Sequence, residues 1–214
     1  MSILRYTASA DTTITNAYKS NLAESNRATG SNMGEADSLE VFSIYGQATS
    51  SVGYSTELSR ILLKFPVSKI SSDRTAGTVP ASGSVDFYLR LYNVEHASTL
   101  PSKFYLTVAG ATNSWQEWKE HWAETYSDKD EANWIDRKLG SAWAIVGGDF
   151  HTGAYAGLPA GTNLPWYDVY FEKGTEDLEL NITSLVEEWI ATNEAATVNN
   201  GIGIFLSGTY EAYN

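Results

Sequence analysis

An all-β fold, an antiparallel β-sandwich of jelly-roll-like form with one or two short helices, is what this sequence predicts. Three observations carry that expectation. Short segments alternate apolar and polar side chains, the period of two that belongs to half-buried strands. Stretches rich in Gly, Ser, Thr and Asn separate them. Aromatic residues make up 13% of the 214 residues and charged residues only 19%, which suits a large core and leaves few charges for long solvated helices. About eight to ten strands in two packed sheets around one core form one domain.

The elements follow in order. Strands are expected at Leu39–Tyr45, Leu58–Phe65, Ser84–Val94, Phe104–Val108, Tyr167–Phe171, Leu178–Ile182 and Gly201–Leu206. In Ser84–Val94, the side chains of Val85, Phe87, Leu89 and Leu91 point one way, and Asp86, Tyr88, Arg90 and Tyr92 the other. Asn21–Asp37 reads as a long polar loop, and Ser71–Gly83 and Gly147–Asn163 as turn-rich connections. Two segments read as helices. Thr183–Ile190 has Ser184 and Glu187 as a capping box and Leu185, Val186, Trp189 and Ile190 as its apolar face. Ser114–Trp122 repeats the box with Ser114 and Glu117 and sets Trp115, Trp118 and Trp122 on one side. The core is expected to include Phe65, Phe87, Leu89, Leu91, Leu106, Val169, Phe171, Leu180 and Ile182.

Charge and composition exclude several function classes. A net charge of −12 repels phosphate backbones, anionic lipids and polyanionic sugars, so neither nucleic acid nor membrane is expected as a partner. The absence of cysteine excludes a disulfide-stapled module, thiol catalysis and iron–sulfur chemistry. The opening MSILRYTASADTTI has neither a basic nor an apolar leader region, so synthesis in the cytoplasm without export is expected. No run approaches the roughly 18 apolar residues of a membrane span.

Catalytic motifs are equally sparse. There is no G-x-S-x-G elbow and no phosphate loop. His96, His121 and His151 lack metal-ligand spacing. Glu187-Glu188 lies on the expected helix, where neighbours point about 100° apart, so it reads as a solvated face rather than a carboxylate dyad. Asp128–Asn133 partly matches a calcium loop, but it lacks the glycine at the sixth position, and Leu139 stands where a closing glutamate belongs. No enzyme and no cofactor are therefore expected, calcium being the one ion with even a partial loop.

Aromatic density is the remaining signal. Trp115, Trp118, Trp122, Tyr126, Trp134 and Trp143 fall within one segment. Such a cluster fits a satellite core under an insertion, a protein–protein interface or a sugar-stacking platform. The candidate binding residues, for interface or glycan, are Trp118, Trp122, Tyr126, Trp134, Trp143 and Tyr155, within a Trp/Tyr-rich insertion at about 119–165.

An ordered set of short matches points further. Ala10-Asp11-Thr12-Thr13-Ile14 opens it, followed by Asn32-Met33-Gly34 with Leu39-Glu40-Val41. Then come Ser59-Arg60-Ile61-Leu62-Leu63-Lys64-Phe65, Leu89-Arg90-Leu91-Tyr92 and Trp115-Gln116-Glu117. Leu180-Asn181-Ile182-Thr183-Ser184-Leu185-Val186-Glu187-Glu188-Trp189 and Asn200-Gly201-Ile202-Gly203-Ile204 close it. On these residues the chain resembles the DNRLRE-type domain, related to disaggregatase repeats and to an alginate-binding class of carbohydrate modules, as carried by marine bacteriophage structural proteins. It departs from that pattern in its longer Lys119–Pro165 stretch and in Asn181, where Asp is common.

The resemblance implies a non-enzymatic bacteriophage virion protein, a head-decoration, tail or fibre subunit made in the host cytoplasm. Its partners would be other virion proteins, copies of itself or a host-surface polysaccharide. The alternative it implies is an extracellular carbohydrate-binding module. Proteins resembling this one carry a further strand after the counterpart of Gly201–Leu206. An open sheet edge is therefore expected there, to be filled by continuation of the chain or by a neighbouring subunit's strand, with Ser2–Ala8 as the donor. Arg60 reads as a structural ion pair or loop cap, and Trp115 and Trp189 as plugs of the sandwich ends.

Overall fold

The computed structural model describes residues 3–19, 22–23, 26–34, 36–50, 53–95, 101–117, 127–128, 131–151, 165–192 and 199–211. The strands are β1 (Ala10–Thr15), β2 (Ser31–Asn32), β3 (Ser43–Ser50), β4 (Gly53–Lys64), β5 (Tyr88–Leu91), β6 (Phe104–Gly110), β7 (Ser127–Asp128), β8 (Asp136–Lys138), β9 (Ser141–Ala142), β10 (Trp166–Phe171), β11 (Leu178–Asn181) and β12 (Ile202–Leu206). The helices are α1 (Val67–Thr75), α2 (Thr183–Ala191) and α3 (Gly208–Glu211). The fold is the expected all-β sandwich of packed antiparallel sheets with short helices.

β4 is the spine of the main sheet, which runs β1-β4-β12-β6-β10 with β3 also paired to β4. Alternate residues of a strand aim their backbone groups at opposite edges. Asn16 N donates to Leu58 O at 3.1 Å on the β1 side, while Ser59 N donates to Phe42 O at 3.0 Å on the other. β3 and β12 therefore share one edge of β4, β3 along its first half and β12 along its second.

β12 has neighbours on both sides, Ile204 lying opposite Ile61 of β4 and Val108 of β6. The open edge expected beside Gly201–Leu206 is thus corrected: the outer strands of this sheet are β1, β3 and β10. Gly201 lets β12 enter the gap. Its φ is +86°, and a Cβ there would sit 2.2 Å from the Leu63 carbonyl oxygen.

Both faces of the main sheet carry a core. The unbroken run Ile61-Leu62-Leu63 reflects this, since Ile61 and Leu63 enter one core and Leu62 the other. Against the first face pack the β5–β11 pair, α1 and α2. Leu89, Phe171 and Ile182 are buried there, and Phe65, Phe87, Leu91, Leu106, Val169 and Leu180 are partly buried against them, as the alternation predicts. Trp189 and Leu185 of α2 sit at its centre, each burial worth about 1.5–3 kcal/mol.

Three expectations on this side need correction. Ser71–Gly83 is not all turn, because α1 runs to Thr75 and buries Val67 and Ile70. α2 has no side-chain capping box; Thr183 N donates instead to Asn181 Oδ1 at 3.0 Å, and Thr183 Oγ1 accepts from Phe87 N at 2.8 Å. Asn181 thus supplies the acceptor at the start of α2. Glu187 is not a solvated face. It accepts from Arg74 Nη1 and Nη2, each at 2.7 Å, tying α1 to α2.

Candidate functional site

The second face of the main sheet is covered, and only in part, by an excursion of which residues 111–117 and 131–151 pack on it. Trp115, Trp134 and Trp143 lie over Ile14 and Leu62, with Ala111 and Ala132 between them and Phe150 beside them. Ser114–Glu117 is not helical. Gln116 N donates to Arg137 O at 3.0 Å and Gln116 O accepts from Ala132 N at 2.9 Å, long-range bonds that take the backbone groups a helix would need.

Trp134 and Trp143 are only 7% and 5% exposed, so the expectation that placed these two on a binding surface is corrected: their rings face protein. Trp143 Nε1 donates to Asn133 O at 2.9 Å and Trp115 Nε1 to Asn200 O at 2.9 Å, the satisfied N–H groups of packing tryptophans. Trp118, Trp122, Tyr126 and Tyr155 lie outside the described residues.

Polar side chains fasten this cover. Asp149 is buried and accepts from Ala144 N at 2.8 Å, Ile145 N at 2.7 Å and Asn113 Nδ2 at 2.9 Å. Asn32 Nδ2 reaches Ala132 O, Asn200 Nδ2 reaches Thr112 O at 3.0 Å, and Glu117 Oε1 accepts from Asp11 N at 2.8 Å. Several residues of the sequence matches are therefore attachment points between cover and sheet.

Arg60 is the strongest clamp. It is an ion pair and a loop cap together, holding both Glu211 oxygens at 2.8 and 2.6 Å and Gly147 O at 2.7 Å. Its guanidinium lies within 6 Å of the Trp134, Phe150 and Phe205 rings, a cation–π box worth up to about 2 kcal/mol when desolvated. Lys64 sits at 2.9 Å from Trp115 O, and burial holds its ammonium below the usual lysine range.

While its tryptophans point inward, the excursion turns aliphatic side chains outward. Ile135, Leu139, Ile145 and Val146 are 44%, 66%, 67% and 57% exposed. Leu139 is at the tip of the β8–β9 hairpin, and Ile145 and Val146 occupy the turn before Gly147.

At its β10 edge the same face carries exposed aromatic side chains, while Thr107 and Ala109 of β6 are buried, and here sequence reading missed a surface. Tyr167, Val169 and Phe171 of β10 enter the first core, so Trp166, Asp168 and Tyr170 project from the opposite face. Trp166 and Tyr170 are 45% and 46% exposed, and Tyr105, directly across from Tyr170 on β6, is 41% exposed. The Tyr105 and Tyr170 rings meet at 5.0 Å and 46°. Asp168 Oδ1 accepts from Thr107 Oγ1 at 2.6 Å, and Tyr170 donates to Glu172 Oε2 at 2.7 Å. That bond to Glu172, with burial and neighbouring charge adding to it, pushes the Tyr170 hydroxyl up to about 12, so it stays a proton donor. Tyr210 of α3 closes one end, donating to Lys103 O at 2.9 Å.

Other titratable groups offer no cluster. His151 is buried, and burial pulls its imidazole below the usual histidine range. Among the described residues no group of three or more His, Asp or Glu is placed to hold a metal, and Asp128–Asn133 lies partly outside them. No helix among the described residues is long and apolar enough to cross a membrane. Neither a family model, nor a curated protein, nor a solved structure matches this chain.

Proposed function

We propose that this chain is a non-enzymatic structural protein working through protein–protein contacts, the bacteriophage virion subunit that the sequence resemblance implies. What supports the contact role is the sidedness of residues 131–151. Trp134 and Trp143 anchor the excursion to the sheet, while Ile135, Leu139, Ile145 and Val146 face outward. Exposed aliphatic groups on a rigid, fastened support suit a packing contact with another subunit. Mass spectrometry and cryo-electron microscopy of purified particles test this. Density for the chain, with residues 131–151 against a neighbour, is the expected result; absence of the chain from particles overturns it. Release of sugar or phosphate by the purified protein, abolished by one substitution, overturns the non-enzymatic part.

A second reading, a carbohydrate-binding module, is favoured by a different observation: the exposed Trp166, Tyr170 and Tyr105 rings at the β10 edge of the sheet, with carboxylates among them. The two readings use separate surfaces, and both hold for a virion subunit that touches a host polysaccharide.

A further inference from the structure

We infer that the exposed aromatic strip along β10 takes an uncharged polysaccharide chain laid along Trp166 and Tyr170, and that Asp168 turns polyanionic glycans away. This rests on the carbohydrate reading above and narrows it to a site and a substrate class.

The shape comes first. Trp166 and Tyr170 are four residues apart on the same face of one strand, about 13 Å at ~3.3 Å per residue. Rings so spaced on a sheet surface meet an extended polymer at two separated units, with the intervening chain over Asp168. Ala109 and Thr107, directly across from Trp166 and Asp168, are buried, so the exposed strip runs along β10 rather than across the sheet.

Ring chemistry is next. An aromatic face is electron-rich and attracts the C–H face of a pyranose, while tyrosine hydroxyls bond to the sugar's edge. Three aromatics with polar edges therefore suit a sugar better than the aliphatic residues of the 131–151 excursion do.

Charge then selects among sugars. Asp168 lies midway between the two rings, so a chain spanning them passes over its carboxylate. Thr107 fixes that group by one oxygen and leaves acceptor capacity for sugar hydroxyls, which are donors. Glu172 adds a second acceptor beside Tyr170. A uronate or sulfate at the same place meets like charge in a molecule whose net charge is already −12. Among the described residues the nearby cations do not offset this. Arg60 is committed to Glu211, and Lys103 and Lys173 flank the Glu172 end of the strip rather than Asp168.

Affinity electrophoresis of the full chain tests the inference, using gels cast with a neutral glucan, a galactomannan, a xyloglucan or alginate at low salt. Retardation by at least one neutral polymer and none by alginate is expected. Trp166→Ala and Tyr170→Ala should each weaken binding about tenfold with unchanged melting, the cost of about one ring contact. Tyr88→Ala, on the other sheet, should change nothing. Asp168→Asn should allow alginate to bind. Alginate retention by the unaltered chain that needs Trp166 keeps the carbohydrate reading and overturns the charge selection. Retention that survives both ring substitutions keeps that reading and overturns the site. Retention by no polysaccharide overturns both and leaves this face to a protein partner.

Discussion

The two faces of the main sheet are covered by different means. On one, β5, β11, α1 and α2 press an aliphatic layer around Trp189 onto Ile61, Leu63, Val108, Ile202 and Ile204. On the other, an irregular excursion brings three tryptophans over Ile14 and Leu62 and is held by Asp149, Asn32, Asn200, Lys64 and Arg60. The first cover is continuous and uses backbone periodicity. The second is partial and uses side-chain-to-backbone bonds. A sheet closed by regular elements on one side leaves the other side free to be shaped by loops, and here both candidate surfaces, the aliphatic one and the aromatic one, lie on that side.

This contrast can be broken or sharpened by substitution. Trp189→Ala empties the centre of the first core and should cost about 3–5 kcal/mol in urea unfolding. Trp143→Ala on the second face should cost about 3 kcal/mol, and the transitions seen by tryptophan fluorescence and far-UV circular dichroism should still coincide. Two separated transitions would mean that the loop cover unfolds independently, contrary to the fastening described above. Glu211→Gln strips the Arg60 charge of its partner inside the aromatic box and should cost about 1–3 kcal/mol by the same assay.

The smallest effect belongs to the α1–α2 tie on the regular face. Arg74 bonded to Glu187 holds its carboxyl below the usual glutamate range. A carboxyl with a depressed folded pKa adds stability above its unfolded value of about 4.3 and loses it as pH falls below that. Glu187→Gln should therefore flatten the acid limb of stability below about pH 4 while costing under about 1 kcal/mol at neutrality. An acid limb identical to that of the unaltered chain would remove the tie from the account.

What could be read in advance follows the same division. Strands of the main sheet were legible as short apolar or aromatic runs between turns, alternating in β6 and unbroken in β4. α1 was not, because Val67–Thr75 holds three serines and only Val67 and Ile70 as apolar anchors, too few to show a helical period. The second cover was legible only as aromatic density, since Asp149 and Asn133 shape it through individual bonds that carry no periodic signal. Trp166 and Tyr170 were visible in sequence, but β10 carries aromatic residues on both sides, Tyr167 and Phe171 as well as Trp166 and Tyr170. Alternation alone did not say which set faced out.

The position of β12 has a consequence for how the chain is made. Of the strands described, it leaves the ribosome last, yet it sits in the middle of the sheet. Until it arrives, β4 and β6 each present an unpaired inner edge, and Arg60 waits for a partner 151 residues further on. At about 5–20 residues per second of synthesis, that is a delay of many seconds during which two apolar strand edges are exposed. Folding dominated by such distant pairing is slow and prone to wrong edge-to-edge association, so yield of soluble protein should depend on expression temperature and chaperone supply more than the final stability suggests.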